Sequence, residues 1–427
     1  MQKLQVIYAG WGERWPLGTL ADTGREILFE YSARAITRGL QLSPLHQPLP
    51  RAGAAAVTFR GKTFFLGLPG FIADALPDGW GMLLMDRALR QQDRDPRAVS
   101  VLERLAIVGE LTMGALVFEP ADEGTLPAEI LQLKALAREV FDLHADEAKA
   151  GEHLRHLMQL GGSPQGARPK VLVDFNARTG QVSSGIPLTG SATPWLIKFP
   201  AANEHREVCA VEELYARVAR VARVARAATD MPRSRFFDLG IKHSAFGVER
   251  FDRVVRGVRG KQLLRVPIMS LSALLEVDHR LPALDYETVL LATLRITGDQ
   301  RELTKAYARC VLNVVLHNRD DHSRNFAFRL DEQGLWKLSP VFDLTFSFGP
   351  GGEHATSVAG HGKDINRAHL MQVAKAGGLS VKAAQRCLTE GIAAVQSMTR
   401  LARDLPIRRN TLHVLLKSAA QHIALLK

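Results

Sequence analysis

Two short stretches concentrate the side chains able to do chemistry. The first, NRDDHSRNF over 318–326, crowds Asp320, Asp321, His322, Arg324 and Asn325 into one turn. The second, SPVFDL, brings Asp343 after a pattern that alternates, turns and alternates again. A carboxylate at such a turn can accept a proton from a hydroxyl, while a second carboxylate and an amide oxygen are hard ligands suited to Mg2+. Asp320 and Asn325 lie five residues apart, the Asp-x-x-x-x-Asn spacing used in phosphoryl transfer. On that spacing Asp320 is the candidate base, and Asn325 with Asp343 the candidate metal ligands. Each stretch alone also describes an ordinary solvated turn, and His322 reads as a brace for the loop rather than a catalyst.

Complementary groups lie upstream. Lys198 sits inside the apolar run TPWLIKFPA, where burying an ammonium is costly unless an anion meets it. Its bland alternative is a lysine snorkelling at a sheet edge. Glu212 and Glu213, in the following helical pattern, are candidates to orient it, with Glu213 favoured. The Gly-rich loop GGSPQGARPK ends in Lys170 and can present backbone N–H groups to phosphate. It is neither a Walker A motif nor G-x-G-x-x-G. Ser163, beside the glycines, has the composition of a plain turn residue.

Several elements must position these groups. Leu303, Tyr307, Cys310, Val311 and Val314 recur with a helical period, so residues 301–317 are expected to form a core-facing helix that delivers the chain to Asn318. FAFRL and LWKLS, separated by DEQG, predict a β-hairpin that returns the chain to Asp343. Lys170–Asp174 and 193–201 read as strands, 204–228 as a long helix, and 246–253 as another strand. VIYAG, EILFEYS, AAVTFR and KTFFLGL predict strands in the first 120 residues, and residues 77–91 a turn entering a helix. ADEGTLP (121–127) reads as a linker, with helical patterns to about residue 158; beyond 270 the chain is mostly helical.

The chain has 427 residues, too many for one ordinary core. Its apolar runs are short and broken by charge, which excludes a spanning helix, and the N-terminus lacks the apolar stretch of a signal peptide. Three scattered cysteines (Cys209, Cys310, Cys387) in helical patterns imply buried thiols rather than a disulfide framework or zinc site, and a cytoplasmic protein. The net charge of +11 suits an anionic partner without choosing one. Arg217, Arg220, Arg223 and Arg226 recur every three residues, a spacing that spreads over half a helix and predicts a solvated face.

These segments together resemble the HipA family of bacterial serine/threonine kinase toxins over nearly the whole chain. GGSPQGARPK is similar to its Gly-rich loop, WLIKFP to its lysine strand, VEELY to its glutamate helix and VERFDR to its interlobe linker. NRDDHSRNF resembles the catalytic loop and SPVFDL the metal-binding turn, while FEYS and LPDGWG resemble the N-terminal domain. The resemblance implies an α+β, bilobed, protein-kinase-like fold: an α/β domain over 1–120, an N-lobe over 121–253 and a mostly helical C-lobe over 254–427. It implies ATP and Mg2+ as cofactors, with Gln165, Gly166, Ala167, Arg168, Pro169 and Lys170 around the phosphates. Lys198, Glu249, Arg250, Phe251, His322, Asn325, Phe342 and Asp343 complete the implied cofactor contacts.

The resemblance further implies phosphorylation of a protein such as an aminoacyl-tRNA synthetase, arresting translation and growth and leading to persistence. It implies self-inactivation at Ser163, where phosphate would add charge to a phosphate-holding loop. A HipB-type helix-turn-helix antitoxin is the implied partner, with operator DNA bound through that complex. The sequence departs from the family pattern in Asp321, which would alter metal binding or serve as a surface charge, and in Pro164 after Ser163. Two other readings stand beside this one: a small-molecule kinase on a related fold, and a non-enzymatic DNA-associated co-repressor.

Overall fold

The structure is a computed structural model that describes residues 2–53, 55–121, 130–145, 157, 164, 166–183, 191–222, 230–257 and 261–427. The chain divides into two compact units, Met1–Arg206 with Phe237–Met269, and Glu207–Phe236 with Ser270–Lys427.

In the first unit, five antiparallel strands follow the order Thr58–Arg60, Ile27–Tyr31, Trp15–Asp22, Gln2–Tyr8, Leu116–Glu119. Alternating burial along Ile27–Tyr31 shows the period of two expected of a half-buried strand. The strand WPLGTLAD carries no expectation from the sequence, because its turn-like composition conceals it. One sequence expectation fails here. KTFFLGL is a short 3-10 turn, Thr63–Phe65, rather than a strand. Leu66 and Gly67 take left-handed φ of 55° and 82°, which extended backbone cannot accommodate.

The unit's second sheet has six strands in the order Ser234–Asp238, Ser244–Glu249, Ala192–Lys198, Lys170–Asn176, Gln181–Ser183, Ile130–Gln132. Inward side chains Val171, Val173, Phe175, Trp195 and Ile197 form its core. The helix Gly79–Gln91 adds Trp80, Leu84 and Ala88 to that core. Their spacing of four residues stacks them on one helical face, so this segment of the N-terminal region is part of the six-stranded sheet's own interior.

The second unit is mainly helical. Its central helix, Gln300–Val315, is capped by the Asp299 carboxylate on the Arg301 N–H at 2.9 Å. It buries nearly every side, against Tyr286–Thr297 and Val381–Gln396. At Gly391 a Cβ would stand 2.8 Å from a Val311 methyl, so the glycine sets the close approach of these two helices. The expected hairpin is present, with Phe328 opposite Leu338 and Leu330 opposite Trp336. All three cysteines are free and buried, within helices. Among the described residues no helix is long and apolar enough to cross a membrane.

Candidate active site

The central helix ends at Leu316, and His317 then takes a left-handed φ of 55°. Asn318 returns its N–H to the Asn313 carbonyl at 2.9 Å, while Ser347 and Ala355 donate N–H groups to the carbonyls of His317 and Arg319. These bonds, which include an isolated parallel bridge between Asn318 and Ser347, hold the loop from both sides. At its exposed end Asp320 keeps more than half of its side chain in water, with His322 Nε2 3.9 Å from its carboxylate. The Asn325 side-chain amide donates to the Asp320 carbonyl at 2.6 Å, so Asn325 also braces the loop, a role the sequence suggested only for His322.

Asp321 corrects an expectation. It is fully buried, not a surface charge. Its carboxylate accepts from the Tyr286 hydroxyl at 2.7 Å and the Thr356 N–H at 3.2 Å, and it meets His354 Nδ1 at 2.8 Å. The same network runs onward: Asn313 donates to the Tyr286 oxygen at 2.8 Å, and Asn318 to the Asn313 amide oxygen at 2.9 Å. A buried carboxylate without such partners would be strongly destabilising, so Asp321 anchors the loop and Asp320 is the exposed carboxylate of the two.

Asn325 and Asp343 line one small cavity, together with Asn318, Asn313, Arg309 and Phe342. Asp343 holds a left-handed φ of 54°, a conformation that aspartate tolerates better than most residues and that concentrates at functional turns. The Asn318 side-chain oxygen is buried with no hydrogen-bond partner, as are two guanidinium nitrogens of Arg309. Burial pushes the Arg309 guanidinium down to about 10. A free amide oxygen near a carboxylate suits a hard cation, and the guanidinium suits an anion bound with it. Among the described residues no group of three His, Cys, Asp or Glu side chains is placed to hold a metal.

In the first unit the two lysines singled out from the sequence are direct partners. Lys170 and Lys198 stand opposite one another in the register of antiparallel strands, and both are buried. Directly opposed side chains share a face at 4.5–5.5 Å between Cβ atoms, where like charges repel. Such a pair is favourable where an anion lies between them. Ala167 is exposed, and Pro169 accepts the Phe199 N–H on its carbonyl at 2.9 Å.

Other candidates are committed elsewhere. Arg168 forks onto the Glu204 carboxylate at 3.0 and 2.6 Å. Arg250 is bidentate to the fully buried Asp252 at 2.9 and 2.8 Å. Arg250 and Arg253 hold the Asp252 carboxyl well below the usual range. Glu249 accepts from Thr193 at 3.3 Å, and Phe251 is partly buried.

In the second unit, Glu212 and Glu213 are both buried. Glu213 accepts from Arg217 Nε at 2.9 Å, Arg220 at 3.0 Å and the Ser234 hydroxyl at 2.5 Å. Arg217 also forks onto Asp404 at 2.6 and 3.0 Å. The first two members of the arginine stripe are thus ion-paired rather than solvated, and their helix ends at Val221. Ser163, Gln165, Arg223 and Arg226 lie outside the described residues.

Comparison with known proteins matches two family models to the chain. The family model for the HipA-like C-terminal domain matches residues 162–399, and that for the HipA N-terminal domain matches residues 9–119. Among curated proteins no match is found. HipA of Shewanella oneidensis MR-1, solved in a toxin–antitoxin complex with HipB and its operator DNA, aligns over 99% of this chain and 96% of its own. The TM-score is 0.70 at 17% identity, and the α+β HipA fold is therefore shared. The Helicobacter pylori proinflammatory kinase CtkA aligns over 60% of this chain and 93% of its own, at TM-score 0.38 and 12% identity, a likeness too weak to carry argument.

Proposed function

The chain belongs to the HipA family, and on that premise we propose that it is an ATP- and Mg2+-dependent protein serine/threonine kinase, the toxin of a HipBA-like pair. The observation that carries the reading is the contrast between two adjacent aspartates: Asp321 is locked in the interior while Asp320 remains exposed beside the Asn325–Asp343 cavity.

In the proposed reaction the hydroxyl oxygen of a protein serine or threonine forms a bond to the γ-phosphorus of ATP. The bond from that phosphorus to the β-γ bridging oxygen breaks, and ADP leaves. Asp320 takes the hydroxyl proton, a contribution of roughly 10²–10⁴ in rate for a positioned base. Lys170 and Lys198 would hold the phosphates. Asn325 and Asp343 would hold Mg2+, which offsets the charge on those phosphates when bound. The target belongs to the same proposal, with an aminoacyl-tRNA synthetase as the candidate, as do self-phosphorylation at Ser163 and a cytoplasmic location. A HipB-type antitoxin, with operator DNA bound through the complex, is the proposed partner, by analogy with the Shewanella assembly.

The test is intact-protein mass after phosphatase treatment and then incubation with ATP and Mg2+, on the wild type, Asp320→Ala and Ser163→Ala. A phosphoryl gain in the wild type alone supports both the kinase and its modified serine. A gain retained in Ser163→Ala but lost in Asp320→Ala keeps the kinase and moves the site. No gain and no ATP binding in any sample overturns the enzyme reading in favour of a co-repressor, whose DNA affinity would be salt-sensitive and indifferent to Asp320. Transfer to a metabolite without transfer to protein favours a small-molecule kinase.

A further inference from the structure

The N-terminal LPDGWG turn meets the Gly-rich loop at one residue, from two directions. The Asp78 carboxylate accepts the Gly166 N–H. Two residues on, the Trp80 N–H donates to the Gly166 carbonyl at 3.2 Å. Between them lies Gly79, at φ 41°, where a Cβ would stand 2.6 Å from the Gly166 oxygen and 2.8 Å from the Ala167 Cα. Glycine is therefore required at 79 both by conformation and by the closeness of the two backbones. The turn cannot drift, because Trp80 is buried in the core of the six-stranded sheet with Val171, Val173 and Ile197. On the loop's other side, Gly166 has a φ of 109°, and a Cβ there would run into Lys170 Nζ.

We propose that Asp78 and Gly79 are positioning residues for nucleotide binding: the N-terminal domain clamps both backbone polar groups of Gly166, its N–H and its C=O, and so fixes the phosphate loop in its receiving shape. The inference rests on the reading of the chain as an ATP-dependent kinase. Asp78 occupies the Gly166 N–H, so this amide is not among the donors that meet phosphate. Pro169 has no N–H to offer. Among the loop's described residues, the N–H groups of Ala167 and Arg168 and the Lys170 ammonium then remain as the candidate phosphate donors. Gly166 contributes shape, and the first domain contributes the rigidity that a loop of this composition lacks.

The test uses the full-length chain as wild type, Asp78→Ala, Asp78→Asn and Gly79→Ala, with thermal unfolding to confirm that each folds. Titration with a fluorescent ATP analogue and steady-state kinetics would show Asp78→Ala weakening nucleotide binding and raising the KM for ATP about tenfold, the scale of one charge-assisted hydrogen bond. Its kcat would stay within about twofold, since no reacting atom is touched. Asp78→Asn, whose amide oxygen accepts the same N–H, would restore the KM. Gly79→Ala would reproduce the defect by pushing on Gly166, and decides the matter if Asp78→Ala does not fold. Hydrogen exchange of the peptide containing Gly166, without nucleotide, would rise in Asp78→Ala and return to the wild-type rate in Asp78→Asn. Unchanged exchange together with unchanged affinity in Asp78→Ala and Gly79→Ala overturns the clamp. If the wild type itself binds no nucleotide, the kinase reading fails, while the exchange measurement still decides whether the clamp exists.

Discussion

Lys170 and Lys198 face one another across two antiparallel strands, buried side by side. Two ammonium groups in that register tend to repel, and an anion placed against both reverses the sign. Binding of ATP to the native state alone would raise stability by mass action. Lys198→Met and Lys170→Met are each expected to shrink the rise in Tm that saturating ATP gives the wild type. A rise of undiminished size in both variants would remove these lysines from the nucleotide site.

Asp320 and Asp321 are adjacent and chemically identical, yet their substitution should have opposite consequences. Asp321→Ala leaves the Tyr286 hydroxyl, His354 and the Thr356 N–H without their buried partner. A loss of about 3–5 kcal/mol is expected, the scale of removing one side of a buried charged network. Asp320→Ala alters an exposed side chain and should stay within about 0.5 kcal/mol of the wild type while abolishing phosphoryl transfer. Urea unfolding and a transfer assay on both variants check the pair. Equal destabilisation by the two would contradict the division of roles.

A separable metal function is predicted for Asn325 and Asp343. Asp343→Asn keeps a side chain that tolerates the φ of 54° but removes the charge that would hold Mg2+. Its Mn2+ affinity, read by electron paramagnetic resonance in the presence of nucleotide, should fall about tenfold or more, with little change in Tm. Asn325→Ala should lower metal affinity too. It should also loosen the loop, because the same side chain bonds to the Asp320 carbonyl. Faster proteolysis at 318–326 in Asn325→Ala, but not in Asp343→Asn, would register that second role.

The sequence disclosed what local periodicity encodes. Leu303, Tyr307, Cys310 and Val314 repeat with the turn of a helix, and the helix runs Gln300–Val315. The alternation around DEQG is the hairpin that brings Asp343 back to Asn325. Roles set by distant partners were hidden. Nothing near Asp321 announces Tyr286 or His354, so burial alone separates it from Asp320. Asp78 lies far along the chain from Gly166, and Arg250 reads as a linker cation until Asp252 is found buried beneath it. KTFFLGL misleads for another reason: its β-forming composition is overridden by the left-handed turn at Leu66 and Gly67.

One such hidden contact predicts how stability responds to acid. His317 Nδ1 lies 2.7 Å from His422 Nε2 and 2.9 Å from the Ser418 hydroxyl, with the His317 ring stacked on Phe346. A single proton can bridge the two rings, and protonating both would set two imidazolium cations against each other beside Arg319. Burial, reinforced by Arg319, holds both imidazoles down at about 4, below the ordinary value near 6.5. Groups depressed in this way contribute stability that is present above the unfolded value and lost as pH falls through the folded one. The Tm of the wild type should therefore decline between about pH 6.5 and 4. His422→Gln, which removes one titrating ring and the cation pair, should show a shallower decline over the same interval. Because His317 opens the loop that carries Asp320, the acid-induced loss should also appear as faster exchange of the 317–325 backbone before global unfolding. Parallel pH profiles for the wild type and His422→Gln would show that this pair does not govern the acid limb.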